Sequence, residues 1–283
     1  MAITTYSNTP YNDDFATADK NYLRILFQPG RSIQVRELNQ LQSNIQDQID
    51  KFGRHIFKDG DRVLDGYTQY EENIHGIPVA FAGNLVATDT QLLALKGLQV
   101  EKSGDTGLKA KILGAVPFVG ANNVTYYRLY LKYFGVGSSS LFAASDGLNI
   151  VSGEDSVTLG STTISAGSSL ATVQTSSVAL ESPSYYGGFF QDTGVFFIRG
   201  SFVHTDAQSI YYPKTSQTAT LTGQCFLDIA ESIVDYTSDA TLLDNASGTP
   251  NENAPGADRY KIALTLKFEP SDTTVVGADQ NRI

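Results

Sequence analysis

The sequence predicts a mainly β protein carrying one long α-helix near its N-terminus, and three observations lead there. All the aromatic residues are Tyr or Phe, 15 of each, accompanied by 25 Gly and no Trp. That mixture suits pleated, half-buried strands broken by tight turns. Runs that alternate apolar and polar side chains recur after residue 60. Only one stretch, 33–57, repeats in steps of three and four. The expected architecture is an antiparallel β-sheet or sandwich body with that helix beside it.

Residues 1–32 read as an extended N-terminal arm. The first twelve are small and polar, include Pro10 and have no period, so they order only where something else holds them. An apolar run, Asn21 to Phe27, leads into the turn Gln28-Pro29-Gly30. Ser32 offers a helix N-cap, although Arg36 sits near the place where a capping box needs an acid.

Residues 33–58 form the coiled-coil-like helix. With Val35 at heptad position a, Leu38, Ile45 and Phe52 fall at d, and Gln42, Ile49 and Ile56 at a. Most other positions are Gln, Asn, Asp, Arg or Ser, so the apolar stripe is narrow. Ile at both a and d favours three or more strands, and a single polar residue such as Gln42 fixes register. Widened by Leu41, the same stripe also fits an amphipathic helix packed on its own sheet. Periodicity leaves both arrangements open.

The first part of the β body spans 59–136, opened by the turn Lys58-Asp59-Gly60. Strands are expected at Ile77–Phe81, Leu108–Ile112 and Thr125–Tyr133. In the last, Tyr127, Leu129, Leu131 and Tyr133 share one face and Arg128 and Lys132 the other, as in a sheet with one wet side. Residues 137–180 contain no Lys or Arg and a single aromatic, Phe142. Alternation at Val157–Leu159 and Leu170–Val173 reads as a Ser/Thr-rich β insertion projecting from the body, with a low-complexity linker as the other reading. The second part, 181–270, has strand signals at Val195–Val203, Ile210–Tyr212, Cys225–Ile229 and Tyr260–Phe268. A Pro/Gly/Asn-dense loop, 244–259, separates the last two. Residues 271–283 read as an extended connector into a neighbour, or as the cut end of a longer protein.

Charge and chemistry narrow the function classes. Twenty Lys plus Arg against 30 Asp plus Glu leave a net charge of −10. Neither nucleic acid nor an anionic membrane is an expected partner, since both require a basic face. No apolar run reaches the ~18 residues of a membrane span, and the first residues lack the basic and apolar segments of a secretory signal. Cys225 stands alone, so no disulfide framework or multi-Cys zinc site can form. No His-Glu-x-x-His, Gly-x-Ser-x-Gly or Walker motif occurs, and Gly135-Val136-Gly137 lacks a third glycine at Ser140.

Cys225 lies in an apolar run, where a thiol behaves as a small hydrophobe. His55 falls at heptad g, His75 in a turn and His204 on a sheet surface. Glu71-Glu72 and Glu154-Asp155 read as solvated turn charges. Asp244, Asn245, Asn251, Asn253 and Asp258 carry oxygen ligands of the kind calcium takes, but their spacing matches no EF-hand and also suits a rigid surface turn. No catalytic residue, cofactor or metal site is expected, and no enzyme.

Two stretches carry a resemblance. Tyr11-Asn12-Asp13-Asp14-Phe15 and Lys20 to Arg31, followed by the helix ending His55-Ile56-Phe57-Lys58-Asp59-Gly60, resemble the N-terminal signature of a family of tailed-bacteriophage virion structural proteins. The loop containing Asp244, Asn245, Pro250, Asn251, Asn253, Pro255, Gly256, Asp258 and Arg259 is similar to its second signature. The resemblance implies a non-enzymatic component of the phage tail, assembled in the host cytoplasm. Its implied partners are its own copies, as a homotrimer, and other tail, baseplate or tail-fibre proteins. With it, the seam reading of 33–58 becomes the expectation, and a homotrimeric baseplate or fibre adaptor the expected role. The alternatives are a neck or collar protein, and a receptor-binding or glycan-degrading tip that uses Tyr185-Tyr186 and Tyr211-Tyr212.

Overall fold

A computed structural model of the chain describes residues 6, 9–13, 22–135, 137, 139–175, 184–270 and 280–282. The elements are α1 (Val35–Ile56), β1 (Arg62–Asp65), β2 (Thr68–Phe81), α2 (Asp89–Ala94), β3 (Gln99–Lys102), β4 (Asp105–Val119) and β5 (Thr125–Tyr133). There follow β6 (Gly147–Ile150), β7 (Val157–Leu159), β8 (Thr162–Ile164), β9 (Ser169–Val173), β10 (Ser184–Gln191) and β11 (Gly194–Ile198). The chain continues through β12 (Ser201–Thr205), β13 (Gln208–Lys214), β14 (Gln224–Val234), β15 (Arg259–Glu269) and β16 (Gln280–Arg282). The protein is thus mainly β, its sheets antiparallel, with one long N-terminal helix.

The elements group into two compact units interleaved along the chain. One draws on Met1–Thr68, Phe190–Gln208 and Gly223–Ile283, the other on Gln69–Phe189 and Ser209–Thr222. The expected divisions at 136/137 and 180/181 are therefore not structural boundaries, because antiparallel pairing joins strands that lie far apart in sequence.

In the first unit, β1, β11 and β12 form one sheet and β15, β14 and β16 another. The β14–β15 pair keeps unbroken register from Gln224↔Glu269 to Val234↔Arg259. The run Val195–Val203, expected as one strand, is split into β11 and β12. Arg199 (φ 48°) and Gly200 (φ 79°) turn it, both left-handed as a tight two-residue hairpin requires. Helix α1 starts two residues later than Ser32 suggests. Gln34 is its N-cap, and the acid that completes the start is Glu37, whose carboxylate accepts the Gln34 N–H at 2.9 Å.

In the second unit, β2, β5, β4, β3, β6 and β9 are neighbours in that order, and β9 pairs back onto β2 through Val79↔Val173. Six antiparallel strands thereby close into a barrel, which leaves no open edge within the ring. β10 and β13 extend the sheet from β2. Ile77, Val79, Val100, Leu108, Ile112, Leu129 and Leu131 are fully buried within one apolar cluster. Phe142, Leu148, Ile150, Leu159, Leu170 and Val173 belong to the same cluster. The stretch 137–180 is therefore no projecting insertion. It supplies two strands of the ring and much of the core.

The β5 expectation holds on one face and fails on the other. Tyr127, Leu129 and Leu131 are buried as expected, yet Tyr130 on the opposite face is buried too. Tyr211 stacks on Tyr130 with ring centroids 3.7 Å apart, and Tyr186 meets it edge-on at 5.0 Å. The Tyr211 hydroxyl also donates to the Leu113 carbonyl at 2.8 Å, where β4 bulges against β5.

Candidate functional site: the outward face of helix α1

Helix α1 inverts the usual arrangement of a surface helix, whose apolar face normally packs on the body. Its own fold is met by polar and small residues. Asn39 Nδ2 donates to the Tyr11 carbonyl at 2.9 Å, and the Ser43 hydroxyl donates to Asp13. Gln46 Nε2 donates to the Gly200 carbonyl at 2.6 Å and to Ser201 Oγ at 3.0 Å. Asp50 packs on Gly200, where an added Cβ would fall 2.2 Å from its carboxylate oxygen. Gly53 lies so close to the Phe197 ring that a Cβ there would come within 2.4 Å of it. Asn44, Asp50 and Gly53 are the helix's buried residues.

The apolar stripe points elsewhere. Phe52 is 68% exposed, Ile45 57%, Val35 70% and Ile49 38%. Leu38, Leu41 and Ile56 are exposed as well. At about 100° per residue, this stripe is centred roughly 100° around the helix from the inward contacts. Six of the seven expected seam residues thus form one apolar stripe that the described residues leave exposed. Gln42 is also exposed, but it lies at the stripe's margin and lines a cleft of about 270 Å³ within the first unit. Tyr6, Tyr11, Arg199, Asp258 and Tyr260 share that lining.

The inward residues were missed by sequence reasoning, although they leave a signal. Asn39, Ser43, Gln46, Asp50 and Gly53 repeat in steps of four and three, a polar stripe with the period of the apolar one.

The residues of the 244–259 loop close on one another. Asp244 exchanges backbone hydrogen bonds with Asn253 and Ala254, and its Oδ1 accepts the Ala246 N–H at 2.9 Å. The Asn245 carbonyl accepts from Ser247, and that of Asn251 from Ala254. Pro250 sits in the exposed turn, and Asn253 takes a left-handed φ of 60°. Pro255 bridges to Leu243, and the Gly256 N–H donates to the Leu242 carbonyl, from which a Cβ would stand only 2.5 Å. Arg259 donates to the Ala257 carbonyl at 2.6 Å. Asp258 instead accepts from the Tyr11 hydroxyl at 2.6 Å, so both resembling stretches meet in the first unit. Among the described residues no group of three His, Cys, Asp or Glu is placed to hold a metal ion.

The remaining candidates have structural surroundings. Burial pushes the Cys225 thiol up to about 11 and the His75 imidazole down to about 4. His75 packs between the rings of Tyr133 and Tyr185. His55 and His204 are exposed. Tyr186 is buried and Tyr211 is stacked on Tyr130, so these rings are engaged with each other rather than offered to a sugar.

Residues 9–106 match the profile of a family described as a domain of unknown function, DUF4815. That stretch runs from the arm through α1 to the start of β4. No curated protein and no solved structure matches the chain.

Proposed function

We propose that the protein is a non-enzymatic structural subunit of a tailed-phage virion, acting as a homotrimeric adaptor in the baseplate or at the attachment of a tail fibre. One observation carries the assembly: α1 spends its polar stripe on its own fold and leaves its apolar heptad stripe uncovered. Full burial of a large apolar side chain is worth roughly 1.5–3 kcal/mol, and covering this row recovers the share that its exposure leaves in water. Identical copies meet this need directly, because a heptad stripe matches itself under rotational symmetry. The virion location rests on the resemblance of the arm, the helix and the 244–259 loop.

Two measurements test the reading. Sedimentation of the full chain should give three times the monomer mass, and a strict monomer at micromolar concentration removes the adaptor. Gold labelling of intact particles should mark the baseplate or the fibre root. Label confined to the neck or collar would transfer the same trimer there.

A further inference from the structure

The segment before α1 is a second run of exposed apolar side chains among the described residues of the first unit. Tyr22, Leu23, Leu26, Phe27 and Ile33 are all exposed, Leu26 by 77%. Over 22–33 the chain has no helix or strand, only the turn at Gln28-Pro29-Gly30-Arg31. A contiguous row of exposed apolar side chains of this size marks an interaction surface.

Two features point to a second copy of this chain. Exposed apolar residues follow along the chain from Ile33 through Val35 and Leu38 into the α1 stripe, so a neighbour that covers the helix lies beside the arm. The charge is complementary too. Residues 22–36 contain Arg24, Arg31 and Arg36 and no acid, on a chain whose net charge is −10. In a parallel trimer three such basic arms emerge side by side and repel one another, whereas the body of each neighbour is acidic. Twelve extended residues reach about 40 Å, well beyond the ~10 Å between packed helix axes. From these observations we infer that residues 22–33 form an exchanged strap, each copy laying its arm along the body of the adjacent copy. This rests on the trimer reading and adds to it a specific, separable contact.

The test uses the full chain with Leu26→Cys carrying a thiol-linked photo-crosslinker, with the parent chain, whose only thiol is Cys225, as background. Sedimentation is run on the same sample. A trimer that yields covalent dimers and trimers on illumination supports the strap. A trimer whose crosslinks stay within one chain, or which gives none, overturns the strap and leaves the adaptor standing. A monomer overturns both. A second variant, Leu23→Ser/Leu26→Ser/Phe27→Ser, should keep the trimeric mass while subunit exchange between differently tagged trimers speeds up about tenfold or more. An exchange rate equal to the parent's counts against the strap.

Discussion

The Tyr11 hydroxyl donates to Oδ2 of Asp258 at 2.6 Å, a link across 247 residues of chain. It ties residues 9–13 of the arm to the long loop, and Asn39 of α1 also holds the Tyr11 carbonyl. The two stretches that carry the family resemblance are thus one structural feature.

The link predicts a reciprocal loss of order. Acceptance by Asp258 holds the Tyr11 phenol above its usual range. In Asp258→Asn that phenol should titrate at lower pH, read by NMR of labelled tyrosine. Hydrogen exchange should speed up both at 9–13 and across 244–258 in Tyr11→Phe and in Asp258→Asn alike. If each substitution loosens only its own segment, the link has no structural role.

Gly53 and Gly200 are predicted to be intolerant of a methyl group. Alanine is normally the better helix former by about 1 kcal/mol. At Gly53, however, its Cβ would stand 2.4 Å from a ring carbon of Phe197, which is fully buried, so the ring or the helix must shift. Overpacking of this kind costs about 1–3 kcal/mol. At Gly200 the left-handed φ adds strain to the contact with Asp50. Chemical denaturation of Gly53→Ala should show this destabilisation, and a stability equal to or above the parent's would mean that α1 does not rest on Phe197.

His75 makes stability fall with acid. Burial lowers its folded pKa to about 4 from an ordinary 6.5. Above pH 6.5 both folded and unfolded chains carry it neutral, and its contribution is fully present. As pH falls from 6.5 towards 4 the unfolded chain binds the proton and the folded one does not, so stability drops by about 1.4 kcal/mol per unit. Below about 4 the loss levels off at roughly 3 kcal/mol. Most carboxylates titrate lower, so the window from pH 5 to 6.5 isolates the imidazole. There His75→Phe should flatten the stability profile, and an unchanged slope would assign the acid sensitivity to other groups.

How much of this was legible depended on where the deciding contact lay. The helix and β5 could be read because their periods are local. The inversion of α1 could not, since periodicity identifies an apolar face without saying which surface meets it. The polar repeat from Asn39 to Gly53 was visible but looked like ordinary solvation. Barrel closure depends on Val79 meeting Val173, and no local pattern encodes a pairing at that separation. The stretch 137–180 misled through composition, because its many Ser and Thr hide Leu148, Ile150, Leu159 and Leu170 at alternating positions. At 195–203 the apolar run masked a turn whose only sign was Arg199-Gly200.

Gln42 separates the two roles of α1 and gives the sharpest prediction. It is the one polar residue in the a/d row, and it stands beside the cleft rather than among the inward hydrogen bonds. In a trimer, three copies of it would flank the seam and interrupt its apolar row, fixing register at a cost in stability. Gln42→Ile should therefore raise the concentration-dependent melting temperature of the assembly and leave the unfolding of each copy nearly unchanged. Ile45→Asp/Ile49→Asp should do the reverse, dispersing the trimer while far-UV circular dichroism keeps its β signature, because both side chains are exposed and neither belongs to the apolar core. Should Gln42→Ile weaken the assembly and the double aspartate variant remain trimeric, copies must associate through a different surface.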